Sequence, residues 1–185
     1  MPIVYSSLKP YQKTRVQTFL SLTKKDSEMT DEEQEKKKKE YYNVEQARIA
    51  VGSGGLTGRG FGQGSQTVLN FLPVAHSDFI FAGFAEAMGF IGSLTLIILY
   101  TLLIWRIISV AQISADPFGR YIAIGIAAKF FIQIVVHVGM NLGIMPVTGI
   151  PLPFMSYGGT AAIIDMACVG LVESIHIRHK KFFFQ

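Results

Sequence analysis

From Phe79 to Gln185 the chain carries only ten of its 30 charged side chains (17 Lys and Arg, 13 Asp and Glu), most of them at the edges of long apolar runs. A soluble domain of 185 residues spreads its charges around one core. The partition here predicts a polar N-terminal region followed by membrane. Three runs, at 79–105, 118–142 and 157–177, are long and apolar enough to cross a hydrocarbon layer of about 30 Å. The first is longer than a crossing needs, so tilt, a kink near Gly89 or a projecting first turn is expected. The predicted fold class is an all-α integral membrane protein, with about three transmembrane helices preceded by a large extracytoplasmic loop.

The polar half is itself uneven. Residues 1–22 read as an amphipathic or interfacial segment, with Tyr11, Phe19 and Leu22 among Lys9, Lys13 and Arg15. Residues 23–42 form a charged linker in which the acidic stretch Asp31–Glu35 runs into Lys36–Lys39. Mixed-sign runs of this kind are solvated helix or linker, and a formal charge of +4 leaves no nucleic-acid footprint. Residues 43–77 read as a Gly-rich extracytoplasmic loop, since seven of the sixteen residues from Val51 to Gln66 are glycine. Cys168 stands alone inside an apolar run, so no disulfide framework exists. Orientation follows from the basic residues flanking the short loops. Arg106 and Arg120 flank the first connection, and Arg178, Lys180 and Lys181 follow the last helix. The positive-inside rule therefore puts these on the cytoplasmic side, with the proline loop and the N-terminal region outside. A polar region outside with no secretory signal at Met1–Leu8 implies an upstream membrane segment, so the chain is read as a fragment.

Asp78 is the leading chemical candidate. A carboxylate at the outer mouth of a membrane helix, beside His76 and Ser77, can act as a general base. The alternative is that Ser77 or Asp78 merely caps the helix, an oxygen accepting free backbone N–H groups. The glycine segment offers successive N–H groups that can nest a pyrophosphate, with Arg48 and Arg59 supplying charge-assisted bonds. It is not a nucleotide P-loop, because no strand precedes it and the Lys-Ser/Thr ending is absent. Glu86, Lys129, Gln133, His137 and Asp165 fall inside apolar segments, where ionisable groups face a bundle interior or a wet cavity. Lys129, Gln133 and His137 recur at i, i+4, i+8 on one helix face. That pattern favours a structural polar seam over substrate contact. No second ligand accompanies His137 at metal-binding spacing. Between the second and third helices, GIMPVTGIPLPFMSYGG has three prolines and no charge, and is expected to dip into the membrane face packed against protein.

Four strings in fixed order are more specific than any residue: YNVEQARIAVGSGGLTGRGFGQGSQ (42–66), FLPVAHSDFIFAGFAEAMGFIG (71–92), DPFGRYIAIGIAAKFFIQ (116–133) and GIMPVTGIPLPFMSYGGT (143–160). Together with LKPYQKTRVQTFL (8–20) they closely resemble the SEDS family (shape, elongation, division and sporulation), in particular its RodA branch. The resemblance implies a fragment of a roughly ten-helix polytopic fold in the bacterial cytoplasmic membrane. It implies a glycosyltransferase that polymerises lipid-linked disaccharide into peptidoglycan glycan strands during cell elongation and shape control, with inversion at the anomeric carbon and a class B penicillin-binding protein as partner. By resemblance Asp78, in the HSDF string, is the catalytic residue, and Arg48, Arg59, His76 and Glu86 are candidates for holding pyrophosphate or sugar. A divalent cation suits a pyrophosphate leaving group, but the sequence shows no protein site for one. The chain departs from the family at Val74 and Ala87, where acids are usual, and at His137, where Asn is usual. These departures, and the missing helices, keep two rivals in view. One is a lipid flippase or transporter working through the 129–137 face. The other is a truncated, non-catalytic interaction module or half of a split protein.

Overall fold

The computed structural model describes residues 31–60 and 78–181, with four helices and no strand among them. Helix α1 spans Asp31–Ser53, α2 Ile80–Ile113, α3 Pro117–Asn141 and α4 Gly159–Lys181. The expectations for residues 1–22, Val74 and His76 lie outside the described residues.

Helices α2, α3 and the Gly159–Arg178 part of α4 are each long and apolar enough to cross a membrane. Their ends shift from the sequence reading. α2 runs past Trp105 to Ile113, and α4 begins at Gly159 rather than Tyr157. α3 starts cleanly because Asp116 accepts from the N–H groups of Phe118 and Gly119, with Pro117 at the first helical position. The core lies along α2 and α3, where Tyr100, Ile107 and Val110 pack with Ala123, Phe130 and Ile134, and α4 adds Val172.

From Asp31 onward the charged run is helix, and α1 carries that helix into what reads as glycine loop, as far as Ser53. The apolar positions explain the extension. Val44, Ala47, Ala50 and Val51 recur on one face and pack against Phe79, Ala82 and Val147. With only alanine methyls at its centre, this face lets α1 approach the start of α2 closely.

Beyond α1 the chain does not hang free. α2 is interrupted at Gly89 (φ 67°, ψ −165°), where the long first segment is expected to kink. A break there leaves four backbone groups without their helical partners, and residues 55–60 take all four. The N–H groups of Phe90 and Ile91 donate to the carbonyls of Gly55 and Leu56 at 2.8 and 3.1 Å, while those of Arg59 and Gly60 donate to Glu86 and Ala87 at 3.0 and 2.9 Å. Irregular backbone within a membrane helix persists only where protein satisfies it. The approach is backbone on backbone: a Cβ at Gly54 would lie 2.1 Å from the Ala85 carbonyl oxygen, and one at Gly58 2.2 Å from that of Ala87.

The proline loop dips inward. Tyr100 on α2 donates its hydroxyl to the Pro153 carbonyl at 2.7 Å, Leu152 is buried, and the Phe154 ring lies 5.7 Å from that of Phe130, midway along α3.

Candidate functional site

Asp78 sits half-buried in the turn that enters α2. The N-cap position of the helix is Phe79, and no N–H of the described residues is donated to the Asp78 carboxylate. Asp78 is thus not seen capping the helix, and Ser77, the other candidate cap, lies outside the described residues. The turn is instead held from α3. Asn141, fully buried, donates through Nδ2 to the Asp78 carbonyl at 3.2 Å and to the His137 carbonyl at 2.8 Å, and its Oδ1 accepts from the Ala82 N–H at 3.1 Å.

His137 lies one turn before Asn141. Its ring is fully buried, Nδ1 lies 2.8 Å from the Ile150 carbonyl, and Nε2 has no hydrogen-bond partner. The carbonyl can only accept, so Nδ1 is the donor of that bond. One face of α3 therefore joins the proline loop, through His137, to the mouth of α2, through Asn141.

Glu86 lies two turns along α2 from Asp78 and is fully buried. Its Oε1 is at 3.5 Å from the Ser53 hydroxyl, at the end of α1. Arg59 is joined to the same place by its backbone bond to the Glu86 carbonyl, and its Nε donates to the Ser53 carbonyl at 2.9 Å. Arg48 projects from α1 with its side chain exposed and its stem against Gly143, where an added Cβ would meet the Arg48 Cδ at 3.1 Å. Of the two predicted phosphate ligands, Arg48 thus stands beside Gly143 at the start of the proline loop, and Arg59 beside Glu86 at the Gly89 break. The N–H groups of Gly58, Arg59 and Gly60, predicted as part of an anion nest, are committed to the carbonyls of Gly54, Glu86 and Ala87. That part of the glycine segment is a clasp for α2, not a vacant nest.

The remaining polar residues separate from this mouth. Lys129 pairs with Asp165 across α3 and α4, with Asp165 almost fully buried. Gln133, between Lys129 and His137, has a buried Oε1 without a hydrogen-bond partner. Among the described residues no group of three His, Cys, Asp or Glu side chains is placed to hold a metal ion. The residue missed from sequence is Asn141. Its signal was present, because it continues the Lys129, Gln133, His137 series by one further i+4 step.

Comparison with known proteins gives concordant matches. The family described as "Cell cycle protein" (FtsW/RodA/SpoVE) matches residues 1–181. The peptidoglycan glycosyltransferase MrdB of Escherichia coli K12 is 48% identical over 139 residues, covering 75% of this chain and 38% of that protein. The probable peptidoglycan glycosyltransferase FtsW of Thiomicrospira cyclica is 45% identical over 137 residues, covering 72% of this chain and 35% of that protein. Stage V sporulation protein E of Bacillus subtilis is 40% identical over 134 residues, covering 72% and 36%. The chain therefore spans 35% to 38% of the length of these relatives. Among solved structures, a chain from work on polymerization and crosslinking by a peptidoglycan synthase complex matches with a TM-score of 0.64 and 31% identity, covering 95% of this chain and 44% of that one.

Proposed function

Because the chain belongs to the FtsW/RodA/SpoVE cell cycle protein family, we propose that it supplies the Asp78-bearing part of a RodA-like peptidoglycan glycosyltransferase, polymerising lipid-linked disaccharide into glycan strands during cell elongation and shape control. The observation that carries this reading is the state of Asp78: a half-buried carboxylate at the mouth of a membrane helix, on a backbone clamped from α3 and not spent on capping. In the proposed step an acceptor sugar hydroxyl gives its proton to that carboxylate as its oxygen attacks the donor's anomeric carbon. The bond from that carbon to the lipid pyrophosphate breaks on the opposite face, with inversion. Arg48 and Arg59 are proposed to steady the departing pyrophosphate by charge, and His76 and Glu86 to line the sugar path. No step is assigned to a divalent cation, since the described donor set offers no cluster to hold one.

The chain is a multi-pass membrane protein. We place it in the bacterial cytoplasmic membrane with Asp78 outside and the C-terminus in the cytoplasm. Arg178 of α4 lines a cavity with residues of the α2–α3 turn, so Arg178 and Arg120 gather at one end of the bundle, which supports that end as the cytoplasmic one. Similarity to a chain of a peptidoglycan synthase complex supports a class B penicillin-binding protein as partner. The Lys129–Asp165 pair favours a structural seam over a transport path, because the buried acid is already matched by a base.

The test is Asp78→Asn in the full protein with its partner. Membrane insertion should be normal and polymerisation should fall about 10²–10⁴-fold, the usual cost of losing a general base. A variant retaining most of the rate removes Asp78 from the mechanism.

A further inference from the structure

We propose that Asn141 is a positioning residue that caps α2 from α3 and so keeps the Asp78 carboxylate available to substrate. The inference rests on the reading of Asp78 as the base and adds what holds it ready.

The entrances of α2 and α3, each preceded by an aspartate, behave differently. At α3, Asp116 spends both carboxylate oxygens on the N–H groups of Phe118 and Gly119, at 3.2 Å each. That is the ordinary fate of an aspartate before a helix. At α2, the acceptor for the first-turn N–H of Ala82 is not the local aspartate but the Asn141 amide, delivered from another helix. The same amide holds the Asp78 carbonyl and its own helix's His137 carbonyl. Only a side chain with an acceptor and a two-hydrogen donor on one planar group does both. Aspartate keeps the acceptor alone, and leucine keeps neither.

This division of labour has a chemical effect. A carboxylate accepting helix N–H groups is stabilised in its charged form and is a weaker base. A cap supplied by Asn141 leaves the Asp78 oxygens uncommitted, while the clamp on the Asp78 carbonyl fixes where they stand. The two contacts make Asn141 specific to the catalytic step rather than to substrate affinity. His137 supports the amide from below, with its ring anchored on Ile150 and its carbonyl bonded to the Asn141 Nδ2.

The experiment compares Asn141→Leu and Asn141→Asp in the full protein with its partner, reading kcat and KM per folded molecule and hydrogen exchange at the Ala82 amide. Asn141→Leu should lower kcat by about 10-fold or more with KM little changed, as expected when a reacting group is displaced rather than binding lost, and the Ala82 amide should exchange faster. Asn141→Asp should protect Ala82 yet still lose kcat, because it caps but cannot hold the Asp78 carbonyl; it carries the test if the leucine variant does not fold. Wild-type kcat in both variants, or an Ala82 amide indifferent to Asn141→Leu, overturns the proposal. An active Asp78→Asn protein would instead bring down the reading of Asp78, while Ala82 exchange would still report the cap.

Discussion

At the scale of single residues, the Lys129–Asp165 pair on α3 and α4 divides stability from chemistry. Lys129→Met leaves the Asp165 carboxylate buried without its cation, and a buried group stripped of its partner costs on the order of 1–3 kcal/mol, more when charged. Lys129 keeps about a third of its side chain exposed, which moderates the loss. The expected outcome is a lower unfolding temperature with glycan polymerisation per folded molecule retained, and Asp165→Leu added to Lys129→Met should recover much of the stability. Abolished polymerisation in well-folded Lys129→Met would return the seam to the working machinery. The seam was legible from sequence as a face, because spacing alone sets which side of a helix a residue occupies. Which partner each member finds was not legible. Asp165 comes from another helix, and Asn141 draws its meaning from a turn far away in the chain.

At the scale of elements, the glycines explain both what was read and what was missed. The interruption at Gly89 combines φ 67° with ψ −165°, a backbone region essentially reserved for glycine, and a Cβ there would lie 2.2 Å from the Gly58 nitrogen. Gly89→Ala should therefore cost about 1–3 kcal/mol from backbone strain and release the clasp. Hydrogen exchange at the Arg59 and Gly60 amides measures this directly. Amides that stay protected in Gly89→Ala would show that the clasp does not depend on the break. The over-long apolar run called for tilt, a kink near Gly89 or a projecting first turn, since length is local information, and the kink is the outcome seen. That residues 55–60 would fill it was hidden, because glycine-rich composition signals conformational freedom without saying what occupies it. The helix of Val44–Ala50 was masked for a related reason. Its apolar face is built of alanines, which barely register as hydrophobic patterning yet pack closely on Phe79 and Ala82.

At the scale of the whole molecule, Arg120 near the start of α3 and Arg178 near the end of α4 lie at the opposite end of the bundle from Asp78. A cysteine at Thr57, exposed within the clasp, should react with an impermeant thiol reagent from outside intact cells in a background lacking Cys168. One at Gln112, exposed near the end of α2, should react only after permeabilisation. The reverse pattern would place Asp78 in the cytoplasm and separate it from the face on which the proposed polymerisation occurs. The membrane class and the crossing segments follow from one chain of 185 residues because lipid tolerates few solutions. The assembly around the mouth of α2 does not, because it is made by contacts between distant segments.

The clasp also sets an order of events during synthesis. Residues 55–60 leave the ribosome before residues 86–91, so the strip that completes the broken helix already exists when the break emerges. Helix α2 never has to wait in lipid for a later segment to cover its open backbone groups. Moving the glycine strip downstream of α2, with every final contact preserved, would make the same folded structure reachable only through an unprotected intermediate.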